Sequence, residues 1–80
     1  MARPAIHPGE ILADEILELG VTATELARQV KVSPDRITQI VKGKHDITGD
    51  IALRLGHWFG TSPQFWLKLQ SAHDLRVATT

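Results

Sequence analysis

Eighty residues correspond to one domain, and without cysteine neither a disulfide framework nor a thiolate metal site can supplement so small a core, so a monomer's stability should be modest. Nine basic and nine acidic side chains cancel overall but not locally. Residues 1–25 set Arg3 against Glu10, Asp14, Glu15, Glu18 and Glu25, whereas residues 26–45 set Arg28, Lys31, Arg36, Lys42 and Lys44 against Asp35, the kind of clustered positive charge that phosphate binding requires. Charge alone would equally fit a solvated face. No apolar run approaches the ~20 residues that span a bilayer and no signal-type stretch opens the chain, so a cytoplasmic protein is expected.

The punctuation predicts five helices, an all-α fold, in a single domain over 1–80. The first opens at His7-Pro8-Gly9-Glu10, with proline at an early helical position, and closes at Gly20. Its inward stripe is Ile11, Leu12, Ile16 and Leu19. The second starts at Thr22-Ala23-Thr24-Glu25, read as a reciprocal capping box, and turns Leu26, Ala27 and Val30 inward. Ser33-Pro34 opens the third, which ends at Gly43. Thr48 caps a fourth that runs to Gly60 with Ala52, Leu55 and Phe59 on one face. Ser62-Pro63 opens a fifth carrying Phe65, Leu69 and Ala72 at core spacing, and residues 78–80 are expected to fray. Connections of two to five residues imply a compact bundle.

The segment from Thr22 to Gly43 carries the functional information. A helix-turn-helix needs two short helices crossing through a tight turn, with small or apolar residues at their contact. Ala27 is small where the helices would touch, Val32 plugs the turn, and Ile37 and Ile40 face inward. On a helical wheel Ile37, Ile40 and Val41 share one face of the third helix, Asp35, Thr38, Gln39 and Lys42 the opposite one, and Arg36 flanks them. Such a face suits the major groove of double-stranded DNA: Gln39 can pair with adenine, Thr38 can meet a thymine methyl, and Arg36 can reach guanine or phosphate. Lys42 and Lys44 suit phosphates, and the backbone amides near Thr24 can approach another. Lys31 stands in the turn where such proteins often carry glycine, at a cost of about 1–2 kcal/mol if that residue is left-handed.

Taken together, HPGEIL, ELARQV with VSPDRITQIVKGK, and DITGDIALRLGHWFGTSPQFWLKLQSAHDLRVA resemble the HigA-type antitoxins, also called virulence-associated protein I, of the XRE or lambda-repressor-like helix-turn-helix family. The resemblance runs from His7 to Ala78; the run from Ile47 to Gln70 is more specific than the helix-turn-helix itself. It implies an antitoxin that binds an mRNA-cleaving toxin of the RelE-like class and represses its own operon as a homodimer. By position, Ser33 to Lys44 would read DNA, and the helix from Pro63 to Val77, with Phe65, Trp66, Leu69 and His73, would join the dimer interface. His73 stands where the family usually has tyrosine. The acidic Glu10, Asp14, Glu15 and Glu18 would suit a basic toxin by charge complementarity, although an acidic face that only confers solubility has the same composition.

Other chemistries find little support in the residues. His7, His45, His57 and His73 lack ligand spacing and each is expected to stand apart, so no metal is implied. There is no activated nucleophile, carboxylate pair or phosphate loop, so neither an enzyme nor a cofactor is expected. Trp58 and Trp66 read as core or dimer aromatics, Phe59 and Phe65 as core. Two alternatives remain open at this level: an XRE-type repressor without a toxin, and a protein-interaction scaffold that has lost DNA binding.

Overall fold

The computed structural model describes residues 6–79, and within them the chain forms five helices: α1 (Pro8–Leu19), α2 (Ala23–Val30), α3 (Pro34–Val41), α4 (Gly49–Phe59) and α5 (Pro63–Ala78). Helix α2 packs on α3, α4 on α5, and α1 lies mainly across α3 with a smaller contact on α5. Among the described residues no helix is long and apolar enough to cross a membrane.

Each helix starts where a side chain accepts an otherwise unpaired amide of the first turn. Thr22, Ser33, Thr48 and Ser62 cap α2 to α5, and proline occupies an early position of α1, α3 and α5. The reciprocal capping box expected at Thr22 and Glu25 is half made: Thr22 Oγ1 accepts from the Glu25 amide at 3.1 Å. The full box sits at α1, where His7 Nδ1 accepts from the Gly9 amide at 2.9 Å and Glu10 Oε2 accepts from the His7 amide at 3.1 Å.

The core is one cluster: Leu12 and Ile16 of α1, Leu26, Ala27 and Val30 of α2, Ile37 and Ile40 of α3, Ile47 of the following loop, Ile51, Ala52 and Leu55 of α4, and Trp66 of α5. Two expected core assignments fail. Leu19 lies within about 20° of Leu12 around the helix axis, yet it is exposed because it is the last residue of α1, beyond Ile16, the last residue of that helix in the core cluster. In α5 the buried residues are Trp66 and Gln70, while Phe65 and Ala72 are exposed and Leu69 is half-buried. That helix carries apolar residues on every side, so periodicity cannot choose its inner face. Helix α5 also continues through Ala78 and is capped at Thr79, where fraying was expected; Thr80 lies outside the described residues.

Candidate nucleic-acid interface

The pair α2–α3 is joined by Lys31, Val32 and Ser33. Ala27 is fully buried at the crossing, where a larger side chain would push the helices apart. The exit from α2 is a Schellman turn: the Val32 amide donates to the Ala27 carbonyl at 3.0 Å and the Lys31 amide to the Arg28 carbonyl at 3.4 Å. Lys31 takes the left-handed conformation, φ 61° and ψ 44°, so the turn keeps the geometry usual for glycine. A neighbouring helix supports it. Arg54 Nη1 donates to the Val30 carbonyl at 2.9 Å and to the Lys31 carbonyl at 3.4 Å, and Arg54 Nε is held by Asp50 Oδ2 at 3.1 Å. Screened at this partly exposed site, such a bond contributes about 1 kcal/mol, comparable with the lower end of the left-handed strain of about 1–2 kcal/mol. Trp58, one turn further along α4, donates from Nε1 to Gln29 Oε1 at 2.7 Å, so α4 grips α2 twice.

The far end of α3 is secured by backbone. It leaves through a second Schellman turn, with Gly43 at φ 75° and the Lys44 amide donating to the Gln39 carbonyl at 2.8 Å. Gly9 of α1 sits so close to the Ile40 carbonyl that a Cβ there would overlap it. The His7 ring covers Gly43, and its Nε2 lies 3.8 Å from Asp46 Oδ1. Gln70 of α5 completes the support: its Oε1 accepts from the Ile47 amide at 2.8 Å, and its Nε2 donates to Asp46 at 3.2 Å and Asp74 at 2.9 Å.

Between these anchors α3 turns Ile37 and Ile40 inward and leaves Asp35, Arg36, Gln39 and Lys42 exposed, with Thr38 half-buried beside them. Ser33 Oγ accepts from the Arg36 amide at 3.3 Å, so this hydroxyl is engaged as the cap. Lys44 is exposed in the loop that follows. Thr24 is exposed in the first turn of α2, next to Glu25, whose carboxylate disfavours a phosphate at that end. The arrangement offers hydrogen-bonding side chains on a rigid helix and cations at its exit, the composition of a major-groove reader.

Other sequence-predicted residues fall elsewhere. Asp14, Glu15 and Glu18 are exposed on α1 beside Leu17, itself 79% exposed; Glu10 is exposed as well, but its carboxylate is part of the α1 cap. Along α5, Phe65 is 42% exposed and Leu69 and His73 are half-buried, whereas Trp66, at 1%, has no surface left for a partner chain. Trp66 instead anchors α5 inside the protomer, its Nε1 donating to Thr61 Oγ1 at 3.2 Å and its ring tilted on Phe59 with centroids 5.4 Å apart. The histidines do not all stand apart: His7 and His73 meet edge to face with centroids 4.8 Å apart. His7 Nδ1 is already engaged by Gly9, and among the described residues no group of three His, Cys, Asp or Glu is placed to hold a metal ion. Sequence reading missed Arg54, Asp46 and Gln70 altogether. For His7 a signal existed, a polar residue three positions before Glu10, although histidine is not among the usual capping types.

A helix-turn-helix family model matches residues 12–66, and the chain belongs to the helix-turn-helix family, in its XRE branch. Within that class it is similar to the HigA-type antitoxins. It is 51% identical over 76 residues to virulence-associated protein I of Dichelobacter nodosus, covering 94% of this chain and 70% of that protein. The structure of an addiction-module antidote protein of the HigA family from Coxiella burnetii superposes with a TM-score of 0.93 at 47% identity, covering 95% of this chain and 84% of that one. The Pseudomonas aeruginosa antitoxin HigA, solved with the higBA promoter, gives a TM-score of 0.90 at 47% identity over 92% of this chain and 82% of that one.

Proposed function

We propose that this chain is a HigA-type antitoxin that binds its own operator as a homodimer through α3, represses that operon, and neutralises an mRNA-cleaving toxin of the RelE-like class. The observation that carries the reading is α3 itself: a helix fixed at both ends whose outer face keeps Asp35, Arg36, Gln39 and Lys42 in water, in a chain 47% identical to an antitoxin solved with promoter DNA. One such helix reads only a few base pairs, so two copies set about one DNA turn apart are expected, paired through Phe65, Leu69 and His73 of α5 with Trp66 supporting them from behind. The acidic outer face of α1 is the toxin-facing surface in this reading.

The test separates base contacts from phosphate contacts on a duplex spanning the region upstream of the reading frame. Gln39→Ala should cost about 1–3 kcal/mol at one operator position and relax specificity there. Lys42→Ala should weaken binding to all sequences and flatten the salt slope by about one unit. Absence of sequence-selective binding at low salt would leave the scaffold reading standing. Toxin affinity unchanged on reversing Asp14 and Glu18 to lysine would remove α1 from the toxin interface.

A further inference from the structure

We infer that Arg54 is a positioning residue for DNA recognition: from α4 it holds the left-handed turn at Lys31 and thereby fixes the angle at which α3 is presented. The inference rests on the DNA-binding reading above.

Among the described residues four helices leave through a left-handed residue, and at three of them it is a glycine: Gly20, Gly43 and Gly60. The fourth is Lys31, the turn on which the placement of α3 depends. A glycine occupies that conformation freely, whereas a lysine with the same torsions needs an outside hold. The bonds from Arg54 go where the hold is needed. The Val30 carbonyl belongs to the peptide plane before the Lys31 Cα and the Lys31 carbonyl to the plane after it. Because peptide groups are planar, the two torsions of Lys31 are rotations between these two planes, and one guanidinium nitrogen ties both. Asp50, one turn earlier on α4, fixes the guanidinium by its Nε, so the fork arrives already oriented.

With the far end of α3 secured at Ile40 and Gly43, a loosened turn lets the start of the helix swing about that end. Eight residues of helix are about 12 Å long, so a swing of about 10° moves the start of α3, with Asp35 and Arg36, by about 2 Å, more than a base-edge hydrogen bond tolerates. Ile37 and Ile40 limit the swing through the core, so binding should be weakened rather than lost.

The experiment is a cycle of four chains: the parent, Arg54→Ala, Lys31→Gly and the double variant, measured by fluorescence anisotropy on the upstream duplex and on random duplex. Arg54→Ala should lose roughly tenfold on the upstream duplex, with random-sequence affinity and salt slope unchanged. Adding Arg54→Ala to Lys31→Gly should cost less than about threefold, since a glycine needs no hold. Arg54→Lys, which keeps the charge but not the fork, should fall between parent and Arg54→Ala. Equal losses in both backgrounds would overturn the inference, as would a salt slope reduced by about one unit, which would make Arg54 a phosphate contact. If the parent binds no DNA, the functional reading alone falls; the 31–54 coupling is then read from urea denaturation of the same four chains, where strict additivity overturns it.

Discussion

At the start of α3 the support is polar and reaches water, a guanidinium bonding two carbonyls of a left-handed turn; at its end the support is buried, with Gly9 pressed on the Ile40 carbonyl and His7 covering Gly43. The first kind is made by long side chains that can be exchanged for other donors, or dispensed with by changing the residue they hold. The second is set by how closely two backbones approach, and no side chain can replace it. One end of α3 is therefore adjustable and the other fixed.

The sharpest way to break the comparison is Gly9→Ala. A Cβ at this position overlaps backbone, which cannot rotate away, so α1 must lift from α3. The expected loss is about 3 kcal/mol or more in urea denaturation, against about 1 kcal/mol for Arg54→Ala. Equal losses would mean that the two ends do not differ in kind.

Gln70 comes next. It is 6% exposed and joins α5 to the loop after α3 through Ile47, Asp46 and Asp74. Gln70→Leu keeps the volume but strands the buried Ile47 amide, and should cost about 2 kcal/mol. Gln70→Glu would keep an acceptor for Ile47 while facing Asp46 and Asp74 with a third carboxylate, so it should be rescued by lowering the pH where Gln70→Leu is not. A Gln70→Leu protein as stable as the parent would show that α5 takes no part in fixing this end.

The same division explains what the sequence could disclose. Helix starts were legible because they are local: Ser33-Pro34, Thr48 and Ser62-Pro63 cap the helices whose first turns they precede. The outward face of α3 was legible because its period is clear, Ile37 and Ile40 opposing Asp35, Gln39 and Lys42. The inner face of α5 was not. What selects Trp66 and Gln70 over Phe65 and Ala72 is a bond from Gln70 to an amide 23 residues away, and no local pattern carries that information. Arg54 was missed for the same reason, since its carbonyl partners lie 24 and 23 residues back in the chain. Lys31 was noticed as an oddity, and only the fold supplied its counterpart.

The smallest expected effect is a pH dependence from His7 at the buried end. Burial, followed by the nearby His73, lowers the pKa of His7 below the ordinary histidine value of 6.5; Asp46 and Asp74 oppose the shift without reversing it. The groups facing the ring are thus His73 and Asp74 from α5 and Asp46 from the loop, with Glu10 on its own helix accepting from the His7 amide. Geometry points the same way. Nδ1 accepts the Gly9 amide, so the neutral ring carries its proton on Nε2, and a second proton on Nδ1 would break the cap of α1. Between the lowered value and 6.5 the unfolded chain binds more protons than the folded one, so stability from this group is complete above pH 6.5 and declines as pH falls below it. For one proton the slope cannot exceed about 1.4 kcal/mol per pH unit. Urea midpoints measured from pH 7.5 downward should fall for the parent, whereas His7→Asn, which keeps a capping acceptor but cannot titrate, should start lower and lose that part of the slope. A slope unchanged in His7→Asn would assign the proton to a group other than His7.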